Sequence, residues 1–139
     1  MRDLTWVTAK QNEIYTAVKV RAERALHESF PSIRFTQDDS AQLQAQFPTV
    51  YIQYLPGTEL AMDLESDGIN AFQCDVEVEV TVSKAQGKTA GFKVANEVAK
   101  QFKRYLFMFR MVPRLTPSDT ETKQVVFRMT RKLTEEDIL

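Results

Sequence analysis

The stretch Phe72-Gln73-Cys74-Asp75-Val76-Glu77-Val78-Glu79-Val80-Thr81-Val82 decides the fold. Its apolar and polar residues alternate at every position, which is typical of a β-strand with one dry face and one wet face. Its eleven residues, at about 3.3 Å each, make a strand of roughly 35 Å, longer than most. Such a strand must lie in the centre of a sheet or in a long hairpin. We therefore expect the rest of the chain to pair with it or to pack on its valine face.

The polar face of this strand carries three carboxylates in consecutive outward positions, Asp75, Glu77 and Glu79. Three interpretations are open: a divalent-metal site, an ordinary solvated sheet face, or an acidic face directed at something that it must repel. Hard cations usually collect their oxygen ligands from a tight loop. No loop of aspartates with a glycine accompanies these residues, which argues against the metal site.

The composition is that of an ordinary globular domain. The 139 residues are 43% hydrophobic and 27% charged, and 18 Lys and Arg against 19 Asp and Glu give a formal net charge of −1. A chain of this length buries about two thirds of its unfolded surface in one domain. We expect a single domain over residues 1–139. The near-neutral charge gives no general electrostatic reason for binding a nucleic-acid backbone.

Cysteine content and hydropathy indicate the cellular compartment in which the protein is expected. The one cysteine, Cys74, lies on the apolar face of the long strand, and a single cysteine cannot form a disulfide framework or a cysteine zinc site. No apolar run approaches the roughly 18 residues of a membrane span, and the N-terminus has no basic and apolar signal regions. These features predict a protein that stays in a cytoplasm-like compartment unless it leaves within a larger particle.

Two amphipathic helices are predicted. The first covers residues 8–29, where Thr8 and Gln11 have the spacing of a capping box. The second opens at Ser83 and runs to about Phe109, and its wide apolar stripe should lie across the valine face of the long strand.

The remaining segments predict an α+β fold, with a mostly antiparallel sheet of about four strands, two long helices packed on it, and an extended hairpin or loop arm. The other predicted strands are Ser32–Thr36, Thr49–Leu55 and Gln124–Arg131. The predicted irregular segments are Gln37–Gln46, the proline-containing loop Met111–Lys123, and a charged, mobile tail over residues 132–139.

Thirteen residues rich in acid, Thr58–Asn70, separate a Pro56-Gly57 turn from the long strand. Connections of this length without regular structure are usually functional or disordered. If the two flanking strands pair as a hairpin, this segment, which we name the acidic arm, extends from the end of the sheet. We predict that it is a subunit contact. The residues assigned to this contact are Pro56, Glu59, Asp63, Leu64, Glu65 and Asp67.

The chain carries no recognisable catalytic signature. The only histidine, His27, has no serine or cysteine nucleophile in a recognisable setting, and Gly87-Lys88-Thr89 lacks the earlier glycine of a phosphate-binding loop because Val82 stands in that place. We assign no catalytic residue, no cofactor-binding residue and no metal ligand, and we expect that the protein is not an enzyme. Basic residues along the second helix leave nucleic-acid binding as a weak alternative.

The order helix, strand, long strand pair with an acidic arm, long helix, proline-containing loop and final strand resembles that of the tail-terminator, or tail-completion, proteins of long-tailed bacteriophages and related prophages. The resemblance spans most of residues 47–131 and includes no catalytic motif. The segments that carry it are Phe47-Pro48-Thr49-Val50, Leu55-Pro56-Gly57, Asp63-Leu64-Glu65, Val76-Glu77-Val78-Glu79-Val80 and Val126-Phe127-Arg128-Met129-Thr130-Arg131.

The resemblance implies a structural virion protein that forms a hexameric ring, caps the last ring of the tail tube, ends its polymerisation and presents a surface to the head. Its partners would be further copies of itself, the tail tube protein, and the head–tail connector or stopper protein. It would be assembled in the host cytoplasm and located in the virion, with no membrane contact. Asp75, Glu77 and Glu79 would then face the lumen and keep DNA, which passes without specific binding, from sticking.

Two alternatives stay open. One is a head-completion or stopper ring protein of the same phage neck. The other is an unrelated small enzyme or nucleic-acid-binding module.

Overall fold

A computed structural model of the chain describes residues 5–37, 47–59, 71–116 and 121–139. The fold is α+β, as predicted. Its strands follow the order β1-β2-β4-β6-β5, and β3 pairs with β4. The β1–β2 pair is parallel and the other pairs are antiparallel, so the described sheet has more strands than the four expected. The elements are α1 (Thr5–Leu26), β1 (Arg34–Thr36), β2 (Thr49–Tyr54), β3 (Thr58–Glu59), β4 (Ala71–Ser83), α2 (Gly87–Arg104), β5 (Met108–Thr116) and β6 (Thr122–Thr134).

Strand β4 is the centre of the sheet, as its alternation predicts. It pairs along its whole length with β6 and over six residues with β2, so the predicted hairpin of β2 and β4 is confirmed. All of its apolar side chains from Cys74 to Val82 are fully buried. They form one core with the buried side chains of both helices.

Helix α2 packs on this valine face but ends earlier than predicted. The helix also begins later than predicted, at Gly87 instead of Ser83, and its N-cap Gln86 has no side-chain hydrogen bond to the helix. Ser83 and Gln86 form a turn before it, with Ser83 N–H donating to the Gln86 side chain (3.1 Å) and Gln86 N–H donating to Ser83 Oγ (3.2 Å). The helix ends at Arg104 rather than near Phe109, because Leu106 takes a left-handed backbone conformation (φ 67°). The chain then turns directly into β5.

The predicted loop Met111–Lys123 is wrong for most of its described residues. Met108–Thr116 forms β5, and β6 begins at Thr122. Pro113 fits within β5 because this strand lies at the edge of the sheet, where a missing N–H donor is tolerated. Register shifts on both sides of Met111 accompany it. The two prolines of the segment indicated a loop, but they do not exclude an edge strand.

Helix α1 starts at Thr5, three residues before the predicted cap, so Thr8 lies inside the helix. Gln11 therefore does not belong to a helix cap. Its side chain lies 3.7 Å from Cys74 Sγ, and its backbone carbonyl accepts a 2.8 Å hydrogen bond from the Tyr54 hydroxyl. The helix buries a stripe at the predicted spacing against the core. Its members are Val7, Ile14, Val18, Ala22 and Leu26.

The C-terminal segment begins within the sheet. Strand β6 continues to Thr134, three residues beyond the predicted Arg131. Asp137 then accepts a 2.7 Å hydrogen bond from Thr134 N–H, lies 3.3 Å from Arg131 Nη2, and offers its backbone carbonyl to Lys10 Nζ at 2.5 Å. These contacts tie the segment that was predicted as a mobile tail to β6 and α1. Most of the predicted connection Gln37–Gln46 lies outside the described residues.

Candidate assembly surfaces

The outer face of the sheet, opposite the helices, carries the three predicted carboxylates. Asp75, Glu77 and Glu79 lie between the buried valines of β4 and are half-buried. Their neighbours on this face come from the flanking strands: the register places Thr130 opposite Asp75, Arg128 opposite Glu77 and Val126 opposite Glu79. The outward side chains of β4 therefore lie close enough to contact their cross-strand neighbours on β6.

Cationic and hydroxyl groups from the neighbouring strands engage Asp75 and Glu77. Arg128 Nε donates a 2.7 Å hydrogen bond to Glu77 Oε2. Asp75 accepts a 2.5 Å hydrogen bond from Thr130 Oγ1 and lies 3.8 Å from Arg110 Nε. The sequence alone did not reveal these partners, because they depend on the register of β6 and on the existence of β5.

These contacts change the electrostatics of the outer face. Lys132 lies opposite the outward Gln73, and Arg114 lies opposite Val126 in the row of Glu79. With Arg110 and Arg128, four cations therefore stand beside the three carboxylates of β4, and the face is close to electrically balanced. The acidic row that the sequence displays is largely compensated within one chain.

The base of the acidic arm is fixed at one end of β4. Strand β3 places Thr58 opposite Gln73 and Glu59 opposite Phe72, and Pro56 before it is exposed. Gly57 packs closely there, since a β-carbon at this position would meet the Phe72 ring and come within 2.5 Å of the Gln73 carbonyl oxygen. The arm therefore leaves the sheet at the Ala71 end of β4. The other assigned arm residues, Asp63, Leu64, Glu65 and Asp67, lie outside the described residues.

The edge strand β5 exposes an apolar and basic surface that sequence reasoning missed. Of the six large hydrophobic residues that are strongly exposed in the described chain, four lie between positions 106 and 115. Strand β6 pairs with one side of β5, and no described strand pairs with the other. We name this region the β5 edge surface. It consists of Leu106 (73% exposed), Met108 (66%), Val112 (63%) and Leu115 (41%) with the exposed Arg110 and Arg114.

A basic groove lies between α1 and α2, on the helical side of the sheet. Cations from both helices line it together with one carboxylate, Glu97, and the buried amide of Gln101. The Gln101 amide donates to Glu97 at 2.7 Å, and its oxygen has no hydrogen-bond partner among the described residues. The cations are Arg21, Arg24, Lys100 and Arg104. This groove is where an anion would be attracted to the helical face.

The buried titratable groups are held in their neutral forms. Burial raises the pKa of the Cys74 thiol to about 11, and the hydrogen bond from Gln11 opposes this only in part. Burial also raises the pKa of Tyr54. In the described residues no group of three or more His, Cys, Asp and Glu side chains is placed to hold a metal ion. His27 is exposed.

No described helix is both long enough and apolar enough to cross a membrane. Models of known protein families give no match to the chain, and none of the curated proteins compared with it matches.

Proposed function

We propose that this chain is a structural virion protein that forms a ring on the end of a phage tail tube, ends the polymerisation of the tube and forms the interface to the head–tail connector. The β5 edge surface is the observation that carries this proposal. Apolar side chains concentrated on an unpaired sheet edge are unfavourable in water and are typical of a surface that is covered by another protein. A ring subunit requires such a surface.

The order of elements supports the same role. The strand pair β2–β4 is a hairpin, the acidic arm leaves from its end, and a long helix and a proline-containing edge strand follow before the final strand. This order matches the one on which the resemblance to tail terminators rests, except that β5 stands where a proline-containing loop is expected. The arm and the β5 edge surface are different surfaces of one chain, and a contact between unlike surfaces is what generates a ring when the rotation closes.

The outer sheet face is proposed to line the lumen. Its carboxylates Asp75, Glu77 and Glu79 are balanced by cations of β5 and β6. A balanced face gives a passing polyanion no strong electrostatic trap, and a lumen that DNA traverses needs this property. Variants that convert Glu77 and Glu79 to lysine should assemble but slow DNA ejection. Normal ejection by such assembled variants would remove the lumen assignment.

The proposed function is tested by measuring the native mass of the purified chain, alone and with preformed tail tubes, and by negative-stain imaging of the mixture. We expect either a ring near 96 kDa, for about six copies of the 16.0 kDa chain, or a smaller species that forms caps on tube ends. Capped tubes should stop growing when free tube protein is added. A chain that ignores tubes and leaves their growth unchanged would overturn the proposal.

The same preparation separates the two alternatives. A stopper ring protein would bind the portal or adaptor assembly before any tube protein. A nucleic-acid module would bind DNA with an affinity that falls steeply as salt is raised, and neutralising Arg24 and Lys100 in the basic groove would reduce both the affinity and the salt dependence. The terminator role predicts neither result.

A further inference from the structure

We propose that the β5 edge surface receives the acidic arm of a second copy of this chain. This inference rests on the ring-forming role proposed above and names the two surfaces that meet. The contact would be head-to-tail, with the arm of each copy seated on the edge strand of the next.

The two surfaces are complementary in composition. The part Glu59-Leu60-Ala61-Met62-Asp63-Leu64-Glu65-Ser66-Asp67 alternates, with Leu60, Met62 and Leu64 at even positions and four acidic residues at odd positions. The β5 edge surface offers apolar side chains interspersed with two exposed arginines. An apolar and acidic segment fits an apolar and basic edge, because opposite charges steer the encounter and apolar burial stabilises it.

Chain length argues that the occupant comes from a second copy. The arm starts beside Phe72, whereas Arg114 lies level with Glu79 through Val126. Seven residues of strand separate these levels, about 23 Å. A loop over residues 60–70 that is anchored at both ends extends at most about 20 Å. The arm also leaves from the Ala71 end, away from Arg114, so a chain cannot cover the far half of its own edge surface.

The edge is protected from unspecific strand pairing. Pro113 removes a hydrogen-bond donor, and the register shifts around Met111 distort the ladder. A contact that relies on side-chain complementarity still forms on such an edge. We therefore assign the recognition chiefly to the arginines and the apolar side chains of the β5 edge surface.

The first test reverses charge on each surface. The edge variant Arg110→Glu/Arg114→Glu and the arm variant Asp63→Lys/Glu65→Lys should each weaken self-association by at least about tenfold, as measured by sedimentation. Mixing the two variants, or combining all four changes in one chain, should restore assembly. The matched control Arg24→Glu/Lys100→Glu reverses two cations in the basic groove and should leave self-association unchanged. Equal loss in the control, or no rescue on mixing, would overturn the inference.

The second test uses disulfide cross-linking to show whether the two surfaces lie next to each other in the assembly. A variant that misfolds cannot form such a link specifically. In the double variant Leu64→Cys/Leu115→Cys, oxidation should link successive chains into a ladder that ends at the ring size, while each single variant stays unlinked. Native Cys74 is fully buried and should not interfere. A fast-migrating, internally linked monomer, or no link in rings that have formed, would contradict the inference.

The outcomes separate this inference from the proposed function. If both charge-reversal variants still form rings that cap tubes, the proposed contact is contradicted and the proposed function is not affected. Rescue of self-association in a protein that ignores tubes would support the contact and remove the function. Absence of self-association and cross-linking, both in solution and on tube ends, would overturn both.

Discussion

Arg128 on β6 lies directly opposite Glu77 on β4 and donates a 2.7 Å hydrogen bond to its carboxylate. The Glu77 side chain is 15% exposed and that of Arg128 is 51% exposed, so solvent screens the pair from one side. We expect a coupling free energy of about 0.5 kcal/mol, near the middle of the range for exposed pairs. A double-mutant cycle with Glu77→Gln and Arg128→Gln, followed by urea unfolding, measures it.

The salt dependence of that cycle is its control. The coupling between Glu77 and Arg128 should shrink in 1 M salt, where screening acts over about 3 Å. A coupling that stays constant with salt would show that the two side chains interact by packing rather than by charge.

Leu106 combines a left-handed backbone with a side chain that is 73% exposed. A left-handed conformation costs a residue other than glycine roughly 1–2 kcal/mol, and this side chain recovers little burial within the monomer. Leu106→Gly should therefore raise the free energy of unfolding by about 1 kcal/mol in chemical denaturation. The same change should weaken self-association, because it removes an apolar side chain from the β5 edge surface. A variant that loses both stability and assembly would contradict this account of Leu106.

Gly57 and Gly87 are required for different reasons. Gly57→Ala places a β-carbon against the Phe72 ring and the Gln73 carbonyl and should destabilise the fold by about 1–3 kcal/mol. At Gly87 a β-carbon has open space, but the φ of 79° strains it. Asparagine tolerates that conformation, so Gly87→Asn should be milder than Gly87→Ala, whereas Gly57→Asn should be at least as severe as Gly57→Ala. Thermal unfolding of the four variants distinguishes a steric from a conformational requirement.

The Cys74 thiol predicts a loss of stability in alkali. Burial raises its pKa from the ordinary 9.0 to about 11, so the unfolded chain releases this proton at lower pH than the folded chain. The stabilising contribution of the protonated thiol is fully present below pH 9. It is lost as pH rises from about 9 to 11, which lowers the free energy of unfolding by an amount on the order of 1–3 kcal/mol. The raised pKa of Tyr54 acts in the same direction. The difference in pH slope between wild type and Cys74→Ala therefore isolates the thiol.

Thiol labelling checks the same burial directly. Folded protein should react with a thiol reagent far more slowly than urea-unfolded protein, because the thiolate is the reactive form and the side chain is inaccessible. Rapid labelling of the folded chain at neutral pH would contradict the placement of Cys74 under α1.

Asp137 predicts a loss of stability in acid. Burial alone would raise its pKa, but the hydrogen bonds from Thr134 and the charges of Arg131 and Lys10 outweigh burial and lower it. The folded carboxyl thus binds its proton less readily than the unfolded one. Its contribution is present above the ordinary value of 3.8 and disappears as pH falls through the lowered pKa. Asp137→Asn should cost about 1 kcal/mol at pH 7 and little at pH 2 in urea unfolding.

The neighbouring Glu136 gives the matched control. It is exposed and forms no hydrogen bond or ion pair with the described residues, so Glu136→Gln should change stability little at either pH. An equal loss in both variants would indicate a general charge effect at the C-terminal segment rather than the Asp137 contacts.

The sequence was sufficient to predict the helices and strands in which a regular pattern of apolar residues continues over many positions. The alternation from Phe72 to Val82 identified β4 and its buried face, and the helical spacing in α1 and α2 identified which sides face the core. The end of α2 was missed because Tyr105 and Phe109 continue a helical spacing beyond the real end. The residue that stops the helix is Leu106, and leucine gives no stop signal.

The candidate surfaces were harder to predict because they depend on register and neighbours. In the sequence, Asp75, Glu77 and Glu79 form an uncompensated acidic row. The sequence pattern does not predict the strand register that places Arg128 opposite Glu77. Strand β5 was read as a loop because of Pro113, and its exposed apolar side chains acquire meaning only once it lies at an edge. The first two residues of the acidic arm, Thr58 and Glu59, form β3 rather than the irregular structure that was expected, while the rest of the arm lies outside the described residues.

The pairing of β4 with β6 also sets an order of events during synthesis. Contacts across this pair, such as Thr130 with Asp75, join residues 55 apart in sequence. The central strand leaves the ribosome long before the strand that completes one of its two sides. Until Val125, Phe127, Met129 and Leu133 arrive, the valine face lacks core partners that the finished protein buries completely. Nascent chains of this protein should consequently remain dependent on chaperones until the last strand has been translated, and folding should be slow for a domain of this size because its contacts are so distant in sequence.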